Sequence, residues 1–400
     1  RHNFAPMGTQ KAIAEIEYDN HLAASYFKTL LATFKPDIIH FFHLSRFGSA
    51  LIDVANAMAM PAYYTPTDFW AICPTSQLLL TTGDMCDGPS SHAGNCIKHI
   101  VMTAHWRHRA GPIKSLPASF FDAYAFVAKT TNIDFPLRRE VAAVSRRKTT
   151  NVARLNTLRK IVSPTRMMTD VLTHHGVRAD LIEQAAYGID ISGFDGFRRN
   201  HSKERPLTIG FIGTLAPHKG CHVLVQAFNK RPIPGACLKI YGDTTLFPAY
   251  MADLRAAVGE NSAIEFRGTF PNAQIADVLS GVDALVVPSV WYENAPLVVY
   301  SALAGQCPVI ASDFPGLSEV VKDGWNGLLF EPGNVEALAD CLARLHREPA
   351  LLPSLSANCK PPKSIKTYVD ELLDLYRHAM PAHGEAAEET AMPESGMSHS

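Results

Sequence analysis

Asp283-Ala-Leu-Val-Val-Pro-Ser289 leads, one residue later, into Trp291-Tyr-Glu-Asn-Ala-Pro-Leu-Val-Val-Tyr-Ser-Ala-Leu-Ala-Gly-Gln-Cys-Pro-Val-Ile310. The first segment is a short β-branched run ended by proline, the pattern of a buried strand. In the second, Pro296 suits the first turn of a helix, where its missing N–H costs little, and Leu297 to Ala304 continue that helix. A lone carboxylate, Glu293, stands between the two elements. Glu293 and the loop amides after it are therefore expected at the carboxyl edge of a parallel strand, where ligands bind in open α/β sheets.

The same alternation extends on both sides. Residues 207–212, 238–241, 264–267, 284–288, 308–311 and 327–330 read as strands, and helical patterns fall near 219–229, 249–258, 272–280, 297–305 and 335–347. Repeated βα units of this length imply a parallel sheet covered by helices on both faces. A Rossmann-like domain is expected over 207–350. Residues 1–195 are less regular. There 36–43, 61–65 and 160–163 read as strands with a helix through 50–59, an α/β domain lacking its opening strands. A polar stretch at 196–206 reads as a linker and 351–380 as a C-terminal helix. Residues 381–400, with four glutamates and no lysine or arginine, read as a disordered tail.

With 400 residues, 47% hydrophobic and 19% charged, the chain has material for two or three domains. A formal net charge of −1 argues against a generic nucleic-acid binder. No apolar run reaches the ~18 residues of a spanning helix and no signal-peptide pattern opens the sequence. A soluble cytoplasmic protein is expected, and Arg1 at the first position suits a fragment or a processed product.

Gly213-Thr-Leu-Ala-Pro-His-Lys-Gly220 joins the first strand of the second domain to its first helix. Glycine permits close backbone approach, a helix N-terminus offers unpaired N–H groups and Lys219 adds a point charge, together a candidate diphosphate cradle. The spacing is neither a Walker loop nor G-x-G-x-x-G, and a glycine turn with one lysine is also common without any ligand. Glu293, read on its own, is a solvated carboxylate or a helix N-terminal charge contributing a few tenths to ~1 kcal/mol.

Taken with Gly242-Asp243, Phe266-Arg-Gly268, Asp313-Phe-Pro-Gly-Leu-Ser-Glu319 and Asp323-Gly-Trp-Asn-Gly327, these segments resemble the donor domain of retaining glycosyltransferases of family four, the glycosyl transferases group 1. The resemblance is nearly continuous over 205–347. The family's nucleotide-sugar loop carries a glutamate, seven residues and a second glutamate; here these places hold Glu293 and Ser301. Its G-R-L-x-x-x-K-G loop is matched at Gly213, Lys219 and Gly220, with Thr214 in the arginine's place. The resemblance implies a GT-B fold, two Rossmann-like domains with parallel sheets facing across a cleft. It places Glu293 against the transferred sugar, Ser301 at the ribose and Lys219 on the donor diphosphate. Asn294, Ala295, Pro296 and Leu297 would form the loop whose amides meet the pyrophosphate.

On the acceptor side, Tyr64-Thr-Pro-Thr-Asp-Phe-Trp-Ala-Ile-Cys-Pro74 is similar to the family's T-x-H-D-x-W-x-x-C-P segment, with Thr67 where histidine is frequent and Asp68 retained. Asp68 reads either as a carboxylate positioning an acceptor hydroxyl or as a turn cap. His43, after the first strand, is a further acceptor-side candidate, although histidines at strand ends more often pack.

Two features stand apart. Cys73, Cys86, Cys96 and His99 could complete a tetrahedral zinc site, since Cys96-x-x-His99 has metal-ligand spacing. The gaps of 12 and 9 residues match no standard zinc knuckle, and unpaired thiols are the alternative. Residues 138–160 hold eight lysines and arginines against one acid, Glu140, and His105-Trp-Arg-His-Arg109 adds more cations upstream. This reads as a solvated helix or as a surface for anionic membrane or a phosphate-bearing acceptor.

The expected function is transfer of a sugar, with retention, from a nucleotide-sugar co-substrate to a glycan or lipid-linked acceptor. The setting would be surface polysaccharide or lipopolysaccharide biosynthesis at the cytoplasmic face of the inner membrane. No catalytic metal or other cofactor is implied and no nucleic-acid partner is expected. Ser301, Thr214 and Thr67 support an alternative, a non-catalytic nucleotide- or glycan-binding relative. A sugar-nucleotide epimerase is a third reading, without its expected acidic and histidine pairs.

Overall fold

The computed structural model describes residues 10, 12–103, 115–133, 135–199 and 206–378. The tail expected at 381–400, residues 200–205 of the linker and the segment 105–109 lie outside the described residues. Strands β1 (Ile39–Phe41), β2 (Ala62–Tyr64), β3 (Lys160–Ser163) and β4 (Ile182–Gln184) form a first sheet in the order β1-β2-β3-β4. Strands β5 (Thr208–Ile212), β6 (Cys237–Tyr241), β7 (Ile264–Gly268), β8 (Ala284–Val287), β9 (Val309–Ser312) and β10 (Gly327–Phe330) form a second, ordered β10-β9-β8-β5-β6-β7. Every pairing in both sheets is parallel.

Both faces of the second sheet are covered, which is why its strands read as continuous apolar runs. Ile209, Phe211, Ile240, Val286 and Ile310 enter one core, and Leu285, Val287, Val309 and Ala311 another. The chain leaves β5 toward β6 and leaves β8 toward β9, in opposite directions across the sheet. That reversal opens a crevice at the carboxyl ends of β5 and β8.

In the first domain, Ile39, Phe41, Tyr64 and Ile161 build the main core. Its fourth strand, β4, was not visible in the sequence pattern because it is a short, largely exposed edge carrying Glu183 and Gln184. The segment 351–380, expected as one helix, forms two, Leu351–Asn358 and Ile365–Arg377. Pro361 and Pro362 between them lack the amide a helix needs. The second helix returns to the first sheet, where Tyr368 and Leu372 pack with Val162. The Tyr376 ring lies tilted 4.9 Å from Tyr63, and its hydroxyl meets His40 Nδ1. Burial of each such apolar side chain contributes roughly 1.5–3 kcal/mol, so the last described helix fastens the end of the second domain to the first sheet.

Candidate active site

At the crevice, the loops after β5 and β8 touch. The first loop ends in a tight turn, Pro217–Lys219, followed by Gly220 at φ +69°. A Cβ on Gly220 would stand 1.7 Å from the Pro288 carbonyl oxygen, so only glycine lets the loops approach. This approach seats Lys219 beside Glu293: Nζ donates to Oε1 at 2.7 Å and Oε2 at 2.9 Å. Ser289 Oγ at 2.6 Å and Trp291 Nε1 at 3.1 Å donate to the same Oε1. The ammonium also lies 5.0 Å from the Trp291 ring centre, a cation–π contact. Glu293 is only 7% exposed, whereas the Lys219 side chain keeps 26%.

The pair lines a cavity of about 300 Å³ together with Gly213, Thr214, Ala295 and Leu297. Helix Leu297–Ala304 starts there with no side-chain cap. Its first amides and positive dipole end are available to an anion. A neighbouring cavity of about 360 Å³ shares Gly213, Thr214 and Leu297 and adds Gly242, Asp243, Thr269 and Ser301. Ser301 Oγ bonds back to the Leu297 carbonyl at 3.2 Å, a turn away in its own helix.

One expectation is corrected by the fold, and two further residues find particular partners. Helix Cys221–Lys230 was expected to lend its N-terminal amides, but the His222 amide donates to Tyr250 Oη at 3.1 Å and Gly220 serves loop contact. The Asn294 side chain turns to the first domain, donating to the Pro66 carbonyl at 3.0 Å and meeting Thr165 Oγ1 at 3.3 Å. Glu319 accepts from the Arg166 and Met167 amides at 2.8 and 2.7 Å, a carboxylate from one domain capping a helix of the other.

These bridges hold the loop after β2 near the crevice. Asp68 Oδ1 accepts from the Trp70 amide at 2.8 Å, so the turn cap is made, while Oδ2 lies 3.8 Å from His43 Nδ1. Thr67 Oγ1 is 3.2 Å from the same nitrogen. Burial pushes the Asp68 carboxyl above its ordinary value, opposed by the Trp70 amide, His43 and Arg147. Asp68, Thr67 and His43 thus form one cluster.

Cys73, Cys86, Cys96 and His99 line a single cavity of about 20 Å³ in the first domain. All eight cysteines are free thiols, and among the described residues no three His, Cys, Asp or Glu side chains are already gathered as a metal site. The basic segment is not one uniform solvated face. Within helix Arg138–Leu155, Arg147 is buried and Arg154 pairs with Asp19 and Asp53 at 2.6 and 2.7 Å. Arg139 and Arg146 remain exposed. Ser289 and Trp291 were missed as site residues; a donor pair flanking a lone carboxylate, two and four residues before it, was the available signal.

Residues 206–348 match the sequence model of the family Glycosyl transferases group 1. This match spans the second domain, and the two parallel-sheet domains share the GT-B fold of the solved structures they align with. Among solved structures, HepE from Anabaena in complex with UDP and glucose aligns with TM-score 0.61 at 15% identity, over 89% of this chain and 81% of that one. Sucrose-phosphate synthase from Thermosynechococcus elongatus aligns with TM-score 0.59 at 18% identity, over 94% and 82%. D-inositol 3-phosphate glycosyltransferase from Rhodococcus opacus is 27% identical over 240 residues, 55% of this chain and 53% of that protein. 2-Deoxystreptamine glucosyltransferase from Streptomyces kanamyceticus is 35% identical over 147 residues, 36% of this chain and 37% of that protein. The chain thus spans about half, or less, of the length of these curated relatives.

Proposed function

We propose that the protein is a nucleotide-sugar-dependent glycosyltransferase that transfers its sugar to an acceptor hydroxyl with retention. The observation that carries this reading is the Lys219–Glu293 pair, set between an uncapped helix terminus and the Asp68 loop. Lys219 and the amides opening helix Leu297–Ala304 meet the leaving diphosphate. Glu293 Oε2, which receives neither Ser289 nor Trp291, is left to hold sugar hydroxyls. Ser301 takes the ribose side of the adjoining cavity. Asp68, with His43 and Thr67, orients the acceptor hydroxyl. Catalysis of this kind is positioning and electrostatic stabilisation in a site that closes against water, and it requires no further cofactor.

The family match to the second domain supports the nucleotide-sugar donor. The curated relatives are named for acceptors as different as an inositol phosphate and 2-deoxystreptamine. A glycan or lipid-linked acceptor of surface polysaccharide or lipopolysaccharide assembly is our reading. Among the described residues no helix is long and apolar enough to cross a membrane. Our reading of any contact with the inner face is a peripheral one, through cations such as Arg139 and Arg146, each contributing ~1 kcal/mol near anionic lipid.

Ser301, Thr214 and Thr67 favour the second reading, a binding module. A thermal-shift panel of UDP-, GDP- and ADP-sugars, followed by an assay of released nucleoside diphosphate, separates the two. A shift with one donor and release on adding acceptor supports transfer. A shift without release across an acceptor panel favours the module, and no shift at all refutes the donor site.

A further inference from the structure

A cluster in the first domain takes no part in this chemistry. After Cys73 the chain folds back on itself: Leu79 and Met85 form an antiparallel bridge, and the Cys86 amide donates to the Leu78 carbonyl at 2.8 Å. Asn95 secures the next turn, accepting from the Ser90 amide at 2.9 Å and donating to the Gly88 carbonyl at 2.8 Å. This starts helix Gly94–Thr103 so that Cys96 and His99, one turn apart on the same face, line one cavity with Cys73 and Cys86. The cavity, about 20 Å³, has room for a single ion or water.

Arg147 is the independent sign. Its guanidinium is buried, lies 4.8 Å over the Trp70 ring and donates from Nη2 to the Trp70 carbonyl. Its Nη1 is buried without a hydrogen-bond partner. Cys73, Cys96 and Glu17 all lie close enough to act on its charge. A buried cation with an unpaired donor is costly. Thiolates held on a metal would place negative charge beside it.

We propose that Cys73, Cys86, Cys96 and His99 bind one zinc ion as a structural centre, with Arg147 as its charge partner. Three Zn–S bonds and one Zn–N bond form and three thiol protons are released. The product, Zn²⁺ with three thiolates and a neutral imidazole, has a net charge opposite to that of Arg147. Sulfur and imidazole ligands select zinc over magnesium or calcium. Two of the thiols have local partners, Cys73 Sγ with Thr75 Oγ1 at 3.3 Å and Cys86 Sγ donating to the Gly88 carbonyl at 3.7 Å. Gathering them at Zn–S distances of about 2.3 Å requires side-chain rotation around the cavity. The centre braces the strand-to-helix connection that also carries Asp68 and Trp70.

The test uses the full chain expressed with zinc in the medium and purified without chelator. Metal content is read by mass spectrometry, and zinc release by a chromogenic chelator after the thiols are blocked with an organomercurial. About one zinc per chain is expected in the wild type and in Cys237→Ser, which alters a thiol outside the cluster, and several-fold less in Cys96→Ser. Should Cys96→Ser fail to fold, cobalt-loaded wild type decides, since tetrahedral thiolate ligation gives a charge-transfer band and intense visible bands. A zinc-free wild type, equal zinc in Cys96→Ser, or a cobalt spectrum without the thiolate band overturns the proposal.

Discussion

Replacing Glu293 by glutamine has consequences of opposite sign for binding and for transfer. The contacts of 2.7 and 2.9 Å to Lys219 carry a gross attraction of about 6 kcal/mol at an effective dielectric constant of ~20. Lys219 retains 26% exposure, and screening with side-chain entropy reduces the net value to about 1 kcal/mol. Glutamine keeps the shape and still accepts from Ser289 and Trp291, but it releases the ammonium. A nucleoside diphosphate should then bind as well as before or up to about fivefold tighter, the equivalent of about 1 kcal/mol. Transfer should fall at least about tenfold, or about 1.4 kcal/mol of barrier, because the sugar loses its carboxylate. Lys219→Ala should instead weaken diphosphate binding outright. Calorimetric titration and a chromatographic transfer assay, with melting temperatures held within a few degrees, separate these effects. The reasoning is refuted if Glu293→Gln weakens nucleotide binding as much as Lys219→Ala, or if its turnover is unchanged.

Ser301→Glu should supply the missing ribose acceptor and tighten nucleotide binding by about tenfold, within the range of a charge-assisted hydrogen bond; calorimetry showing no gain would exclude Ser301 from the ribose side. Asp68→Asn keeps an acceptor for the Trp70 amide, so stability should hold while turnover drops about 100-fold or more with donor binding intact; unchanged turnover would reduce Asp68 to a turn cap. Burial lowers the His40 pKa to about 4. As pH falls from the ordinary 6.5 toward 4, the unfolded chain binds a proton there that the folded chain refuses, so folding stability declines across that window. His40→Gln should flatten the decline in a series of melting curves; an unaltered slope would show that His40 is not its source.

The second domain was legible because its strands are local apolar runs and its breaks are glycine and proline, all readable within a few residues. Lys219 and Glu293 could be named as candidates for the same reason, each standing just past a recognisable strand. The short strand β4 escaped because an exposed edge carries no apolar signal. The single helix expected near the C-terminus is two because Pro361 and Pro362 interrupt it.

Sequence by itself determined the alternation of strands and helices, the loop that needs glycine at Gly220 and the lone carboxylate after β8. Only tertiary structure decided that Lys219 and Glu293, 74 residues apart, share one ion pair. It likewise turned Asn294 and Glu319 into bridges between domains, buried Arg147 in the first domain and set Cys73, Cys86, Cys96 and His99 along the walls of one cavity. The physical reason is range. Propensity and periodicity act between neighbours in the chain, whereas charge pairing and burial depend on which segments the folded core brings together.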